Sequence, residues 1–391
     1  MKKPIALLTA LFFILRTLSA QTEPGAEELK RGEDQSTRKN YQEAMRWYKL
    51  AVEKGNTTAM FNVGYYYSMG YGVTKNDAEA MNWYKKAADK GVTAAIYNIG
   101  YYYENGRSVQ QSYAEAMSWY KKAADKGYAN AQFNIGVLYA NGNGVTQSYT
   151  EAMKWYKKAA EQKMAAAEHI LGVMYANAQG VPLNYTEAIN WYKKAATQGY
   201  AKSQYNLGVM YYNARGVDLN YAEAMNWYKK AAEQGYADAQ YNLGVMYHDA
   251  KGVPLNYTEA INWYKKAAAQ NHAKAQYNMG VMYYNARGVD LNYTEAMNWY
   301  KKAAAQNYSG AQYNLGVMYH NGQGVTRDYS EAMKWYKKAA EQEHADANNN
   351  IGALYYQGLG VEANKEEAKK WFLKAAEYGS ETARGVLEKY Y

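Results

Sequence analysis

The chain has 391 residues, and its 45 basic and 36 acidic side chains give a formal net charge of +9. This charge is mild and is distributed along the chain, which argues against a dedicated nucleic-acid-binding protein. The absence of cysteine excludes disulfides, thiolate metal sites and a cysteine nucleophile. Tyrosine is the unusual component, with 46 residues against five phenylalanines, and this bias indicates a repeat in which one sequence position recurs.

The first twenty residues have the pattern of a secretory signal peptide. A short basic start precedes an apolar run over residues 5–15, and Ser19-Ala20 offers a cleavage site. The apolar run is too short to span a bilayer comfortably. We therefore expect residues 1–20 to be a signal peptide that is cleaved near Ala20, leaving a secreted or periplasmic bacterial protein without an integral membrane segment. An uncleaved N-terminal anchor is the alternative.

The rest of the chain follows a repeat of 36 residues. All the tryptophans obey this spacing, without an insertion between them, and they are Trp47, Trp83, Trp119, Trp155, Trp191, Trp227, Trp263, Trp299, Trp335 and Trp371. A period of this length predicts a solenoid whose units bury their apolar faces only against neighbouring units. We therefore expect the tryptophans to lie in a core that adjacent repeats share.

Each period predicts two helices, and the first, which we name the tryptophan helix, begins after Asn184 in the repeat of Trp191. Asn184 and Glu187 form a predicted capping box, in which the Asn side chain accepts an early helical N–H and the Glu side chain reaches back. The same arrangement recurs before every tryptophan, from Asn40 to Asn364. The sequence therefore predicts ten tryptophan helices with similar starts.

Most tryptophan helices are followed by Gly or Asn, which tolerate the left-handed conformation that commonly ends a helix. These residues are Gly55, Gly91, Gly127, Gly199, Gly235, Asn271, Asn307 and Gly379. Lys163 and Glu343 occupy the same position in the two remaining full repeats. We expect strained or frayed helix ends at these two residues.

The second helix of each period, which we name the glycine helix, has a glycine in its interior. The nine glycines are Gly64, Gly100, Gly136, Gly172, Gly208, Gly244, Gly280, Gly316 and Gly352. A glycine inside a helix costs roughly 1 kcal/mol relative to alanine, so their recurrence requires a steric reason. We expect close approach of the neighbouring tryptophan helix, helped by its alanine pair, such as Ala195 and Ala196.

This pattern resembles the Sel-1-like repeat family, which is related to the tetratricopeptide repeat. The matching residues of one unit are Ala201, Leu207-Gly208, Tyr211, Gly216-Val217, Ala224, Trp227-Tyr228, Lys230-Ala231-Ala232 and Gly235. The resemblance divides the chain into a degenerate N-terminal capping repeat at 22–55, nine repeats at 58–379 and a C-terminal capping helix at 380–391. It implies an all-α fold, a right-handed superhelical solenoid of helix–turn–helix repeats, with the glycine helices on the concave surface.

Candidate chemistry is sparse. His248 and His320 share one repeat position and His272 and His344 another, but positions two repeats apart are roughly 20 Å apart and cannot share a metal. The paired lysines of the tryptophan helices, from Lys85 onward, could meet anionic glycans or lipids, or could simply form a solvated face. Some cysteine-rich members of the family are described as β-lactamases, but this chain lacks their cysteines and a serine–lysine motif. We expect no enzyme activity, no cofactor and no metal.

A stripe of residues on the glycine helices is the predicted binding surface, and we name it the tyrosine stripe. Its members at positions i, i+4, i+7 and i+8 face away from the tryptophan helix and combine tyrosine contact area with polar tips. The predicted partner-binding residues are Tyr205, Tyr212, Asn213, Tyr241, His248, Tyr277, Tyr284, Asn285, Tyr313 and His320. Packing between repeats is the alternative role, especially for the Tyr205 position.

The resemblance also implies scaffold or adaptor work, often in exported bacterial proteins. We therefore expect a monomer that binds a protein or peptide along the tyrosine stripe. A glycan-binding or cell-envelope assembly protein that uses the same aromatic groups is the alternative. Nucleic acid is not an expected partner.

Overall fold

The computed structural model describes residues 23–391, so the predicted signal peptide lies outside the described residues. Within this range the chain is entirely helical, with 21 helices and no strand. The tryptophan helices are α2 (Tyr41–Glu53), α4 (Asp77–Asp89), α6 (Tyr113–Asp125), α8 (Tyr149–Glu161), α10 (Tyr185–Thr197), α12 (Tyr221–Glu233), α14 (Tyr257–Ala269), α16 (Tyr293–Ala304), α18 (Tyr329–Ala340) and α20 (Lys365–Glu377).

The glycine helices alternate with them. They are α3 (Thr57–Met69), α5 (Thr93–Asn105), α7 (Ala129–Asn141), α9 (Ala165–Ala176), α11 (Ala201–Tyr212), α13 (Ala237–His248), α15 (Ala273–Tyr284), α17 (Ser309–Asn321) and α19 (Ala345–Gln357). The first helix, α1 (Ala26–Thr37), and the last, α21 (Glu381–Tyr390), flank this series. The predicted all-α solenoid of helix–turn–helix repeats is confirmed.

The chain divides into two compact units, one ending at Trp191 and the other running from Tyr192 to Tyr391. Inside each unit, a glycine helix packs most extensively on the tryptophan helix that follows it. None of the helices between residues 23 and 391 is both long and apolar enough to cross a membrane.

The starts of the tryptophan helices are fixed by two hydrogen bonds. From α4 onward, the side chain of the N-cap residue accepts the N–H of the glutamate three residues later, as Asn220 does from Glu223 at 2.9 Å. The N-cap N–H donates to a tyrosine carbonyl near the end of the preceding glycine helix, as Asn220 does to Tyr211 at 3.1 Å. The predicted bond between the N-cap N–H and the glutamate side chain is therefore wrong, because that N–H donates to the tyrosine carbonyl instead. The predicted side-chain cap at Asn40 is also wrong, since its amide donates to Gln35 instead.

The ends of the tryptophan helices adopt the predicted left-handed conformation. Lys163 (φ 59°) and Glu343 (φ 62°) share it with the glycines and asparagines at the same position, so strain at these two residues is confirmed. A second left-handed position follows the glycine helices. There glycine is replaced by alanine in four successive repeats, at Ala178, Ala214, Ala250 and Ala286, with φ between 52° and 55°.

Most of the interior glycines face a tyrosine ring, and Gly352 faces the ring of Phe372. A Cβ atom at Gly208 would lie 2.5 Å from Cδ1 and Cε1 of Tyr228, the residue after the tryptophan. Tyr228 is 1% exposed, and its equivalents form the centre of each repeat core. The predicted close approach of the tryptophan helix is confirmed, but the tyrosine ring, rather than the alanine pair, supplies the nearest atoms.

The tryptophans join consecutive repeats. Trp263 is half-buried and packs on the cluster formed by Tyr228, Leu243 and Met246 of the repeat before its own. Lys266 covers the indole, with Nζ 3.9 Å from the ring centroid. The second lysine of the pair lies over the tryptophan in the same way in most other repeats. This arrangement confirms the shared core and gives that lysine a structural role.

Candidate functional site

The first position of the tyrosine stripe lies partly inside the fold. Tyr205, Tyr241, Tyr277 and Tyr313 are half-buried. Their ring centroids lie 5.7–6.0 Å from those of the core tyrosines on the following tryptophan helices. Burial raises the pKa of Tyr205, Tyr241 and Tyr313, so their phenols stay protonated at neutral pH. These side chains therefore support packing between repeats while their outer edges remain accessible.

The second position holds Tyr212, His248, Tyr284 and His320. Each ring contacts the first tyrosine of the next tryptophan helix, with centroid distances of 5.1–5.4 Å. All four residues are half-buried. They are therefore supported on one side and open on the other.

Polar neighbours fix part of this second position. The hydroxyl of Tyr284 donates to Oε1 of Gln323 at 2.9 Å. Nε2 of His248 lies 3.1 Å from Nη1 of Arg287, and its Nδ1 lies 2.6 Å from Oδ1 of Asp249. Because Arg287 can only donate, its contact requires Nε2 of His248 to accept, which leaves Nδ1 to donate to Asp249.

Asn213 and Asn285 lie at the exposed end of the stripe. The side-chain amide of Asn213 donates to the carbonyl of Val209 at 2.9 Å, and that of Asn285 donates to Val281 at 3.0 Å. Both amides therefore cap the end of their own helix. Their predicted binding role stays a prediction.

A row of asparagines next to the stripe was missed from the sequence. Burial raises the pKa of Tyr228, and a side-chain hydrogen bond with Asn242 partly opposes this rise. Asn278 has the same relation to Tyr264, and Asn314 to Tyr300. The recurring Tyr-Asn dipeptide of the glycine helices was the signal that could have revealed them.

A recess of about 290 Å³ opens between α15 and α17. It is lined by Tyr277, Val281, Tyr284, Asn285, Tyr300, Tyr313, Asn314 and Val317. The structure thus brings four of the predicted site residues together: Tyr277, Tyr284, Asn285 and Tyr313. Phenols, amides and valine methyl groups can bury a small apolar group and hydrogen-bond to its polar neighbours.

The histidines outside the stripe have local structural contacts. The rings of His272 and His344 stack on Tyr241 and Tyr313, with centroid distances of 4.8 and 4.7 Å. Their Nδ1 atoms accept the N–H groups of Ala275 and Ala347 at the starts of their glycine helices. Among residues 23–391, no group of three or more His, Asp or Glu side chains could hold a metal ion.

Comparison with protein families decides the identity of this repeat. The Sel1 repeat model matches ten consecutive segments: residues 21–56, 57–92, 93–128, 129–164, 165–200, 201–236, 237–272, 273–308, 309–344 and 345–380. The chain belongs to the Sel1 repeat family. The first Sel1 segment covers the capping repeat predicted at 22–55, whose capping role stays a prediction.

Two solved Sel1 repeat structures are similar over most of the chain. The first is c5321, a protective antigen present in uropathogenic Escherichia coli strains, at 33% identity and a TM-score of 0.62; the match covers 95% of this chain and 89% of c5321. The second is a Sel1 repeat protein from Oxalobacter formigenes, at 31% identity and a TM-score of 0.63, covering 79% of this chain and 89% of that protein. A comparison with curated proteins gives no match. Sel1 repeat proteins generally mediate protein–protein interactions.

Proposed function

We propose that this Sel1 repeat protein is an exported, non-catalytic, monomeric scaffold that holds an extended peptide or a partner surface along the tyrosine stripe. The general role of Sel1 repeats in protein–protein interactions supports the class of partner. The predicted signal peptide supports export. The tyrosine stripe supports the place of binding, because it lies within one compact unit and continues through α11, α13, α15 and α17.

The recess between α15 and α17 is the observation that carries the proposal. Its residues offer an apolar floor at Val281 and Val317 together with phenol and amide groups. An extended peptide requires both features, because its side chains need apolar pockets and its main chain needs hydrogen-bond partners. No charged side chain lines this recess, so recognition there depends on shape and neutral hydrogen bonds.

A glycan is the second candidate ligand for the same surface. The uncharged phenols and amides of the recess are also suited to the hydroxyl groups and apolar faces of a sugar ring. In that case the protein would be a glycan-binding or cell-envelope assembly protein. The same variants test both ligands, because both would depend on the same aromatic side chains.

The test begins with selection of linear peptides, displayed on phage, that bind the chain from Gln21 to Tyr391. The affinity of a selected peptide is then measured for the native chain and for the double variant Tyr212→Ala/Tyr284→Ala. We expect a loss of about 1–2 kcal/mol for each tyrosine that is a binding hot spot. Purified envelope oligosaccharides, measured in parallel, identify a glycan ligand.

The control is the double variant Lys229→Gln/Lys265→Gln, which changes two exposed lysines on tryptophan helices. We expect this variant to alter only the salt dependence of binding. If it abolishes binding while the double tyrosine variant binds normally, the lysine face is the functional surface and the proposal is wrong.

A further inference from the structure

The second unit contains a regular hydrogen-bond bridge between glutamines of consecutive helices. A glutamine that follows a tryptophan helix donates to a buried glutamine on the glycine helix before it, at 2.7–2.8 Å. The pairs are Gln234–Gln204, Gln270–Gln240, Gln306–Gln276 and Gln342–Gln312. Three of the buried glutamines in turn donate to an alanine carbonyl of the preceding tryptophan helix, as Gln240 does to Ala232 at 3.1 Å, whereas Gln312 donates to Asn307. The bridge therefore fills the space between two tryptophan helices.

The last repeat replaces both members of this bridge. Asn348 occupies the buried position and Tyr378 the donor position. Asn348 is one methylene shorter than glutamine, and its amide donates to the carbonyl of its own helix start at His344 (2.9 Å). Although Asn348 is only 1% exposed, its Oδ1 has no hydrogen-bond partner. A buried acceptor of this kind costs about 1–3 kcal/mol unless a donor reaches it.

A recess of about 360 Å³ lies where the bridge would be. It is lined by Lys337, Ala340, Glu341, Asn348, Trp371, Lys374 and Tyr378. Ala340 is half-buried, whereas its counterparts Ala268 and Ala304 are only 5% and 6% exposed. The recess therefore occupies a position in the last repeat that the glutamine bridge fills in the repeats before it.

We propose that this recess binds a free α-amino acid with an apolar or aromatic side chain. Oδ1 of Asn348 is closed to solvent in this structure, so a rotation of the Asn348 side chain would turn it toward the ammonium group of the ligand. The carboxylate of Glu341 would be the counter-charge of that ammonium group. The carboxylate of the ligand would pair with Lys337 and Lys374. Its side chain would pack against Tyr378 and Trp371.

The charges of the lining favour a zwitterion over a simple anion or cation. Two lysines and one glutamate border the recess, so it offers partners to both charged groups of an α-amino acid. A plain carboxylate would leave the acceptor of Asn348 without a donor, and a plain amine would leave Lys337 and Lys374 without an anionic partner in the recess. Charge-assisted hydrogen bonds to both ends of the ligand are stronger than neutral ones.

The first experiment compares three probes of similar size by titration calorimetry against the full chain. The probes are L-phenylalanine, 3-phenylpropanoate, which lacks the ammonium group, and 2-phenylethylamine, which lacks the carboxylate. We expect saturable binding of phenylalanine and binding of the other two that is about tenfold weaker or more. No binding of phenylalanine up to about 10 mM would mean that the recess holds water only, and equal binding of all three would reject zwitterion recognition.

The second experiment tests the position with three variants. Asn348→Gln restores the length that reaches the alanine carbonyl and should abolish binding of phenylalanine. Lys337→Gln, an exposed change that should not disturb folding, should weaken binding about tenfold. Gln240→Asn removes one methylene three repeats away and should leave binding unchanged. Native-like binding by both Asn348→Gln and Lys337→Gln would overturn the proposal.

Discussion

The ring of Tyr228 occupies the space beside Gly208, where a Cβ atom would approach two ring carbons to 2.5 Å. Tyr228 is almost fully buried, so it cannot move into solvent to make room. The glycine thus allows the glycine helix and the tryptophan helix to pack around a large side chain.

Gly208→Ala should therefore destabilise the protein, although alanine favours a helix by about 1 kcal/mol. We expect overpacking to dominate and to lower the free energy of unfolding by about 1–3 kcal/mol, measured by urea denaturation. Gly385→Ala in α21 is the matched control, because a Cβ atom there meets nothing within 4 Å. The control should gain up to about 1 kcal/mol. Stabilisation by both changes would show that the interior glycine has no packing role.

Ala214 adopts a left-handed conformation (φ 54°) after α11, where other repeats have glycine. This conformation costs an L-residue about 1–2 kcal/mol, and a glycine at this position would relieve that cost. The greater flexibility of glycine in the unfolded chain offsets part of the relief. Ala214→Gly should thus raise the free energy of unfolding by about 1 kcal/mol. Gly322→Ala, the reverse change at the same position after α17, should lower it by a similar amount. Opposite signs in thermal denaturation are the expected result, and equal signs would contradict it.

Trp263 connects two repeats, since it packs on the core of the repeat before its own. Trp263→Ala should lower the free energy of unfolding by about 3 kcal/mol. Because repeats are coupled mainly to their neighbours, the thermal transition should also broaden or split. A sharp transition at the native temperature would be inconsistent with a shared core.

Lys266 lies over the indole of Trp263, and its charge should contribute about 0.5–1 kcal/mol to this contact. Lys266→Met keeps the length of the side chain but removes the charge, so it should lower the free energy of unfolding by that amount. Lys265→Met, at the adjacent exposed position, serves as the control and should be neutral. Equal effects of the two changes on urea denaturation would argue against the cation–π contact.

Stability should fall in mild acid because of two histidines. Burial lowers the pKa of His344, and burial together with Arg327 lowers the pKa of His320. The unfolded chain therefore binds these protons at a higher pH, near 6.5, than the folded chain does. Their stabilising effect is complete above that value and is lost as the pH falls from 6.5 through the folded pKa.

The measurement for this prediction is urea denaturation at several pH values between 5 and 7.5. The variant His320→Gln/His344→Asn should lose less stability over this range than the native chain does. His344→Asn keeps a side-chain acceptor for the N–H of Ala347, which His344 now accepts at 3.4 Å. Parallel curves for the native chain and the variant would reject the histidine explanation.

Much of the fold was predictable because the period repeats the same local signals. The tryptophan spacing and the N-cap residues from Asn76 onward correctly predicted the helices and their starts. The partner of the N-cap N–H was not predictable, because the carbonyl of Tyr211 approaches Asn220 only when the loop has folded back. Similarly, a glycine in a helix indicates close packing but does not identify Tyr228 as the group that fills the space.

The candidate site was predictable in position but not in detail. The helical spacing correctly placed Tyr277, Tyr284 and Tyr313 around one recess. The sequence could not show that the amide of Asn285 would bond to Val281, since this depends on the chosen side-chain rotamer. The recess in the last repeat depends on two replacements, Asn348 and Tyr378, which take the positions of the two bridging glutamines. Neither replacement alone predicts a recess, because the recess forms only where both residues line the same space.

The hydrogen bond from each N-cap N–H to a tyrosine carbonyl has the same register in every full repeat. Tyr236 and Tyr308, which precede α13 and α17, are equivalent residues, so removal of residues 237–308 would join two segments that already fit this register. Recombination between repeats of the gene could therefore shorten or lengthen the protein by whole repeats. Every remaining loop would keep its hydrogen bond in the same register. Each repeat that is lost or gained would remove or add one pair of stripe residues, so the length of the partner that can be held would evolve in steps of one repeat.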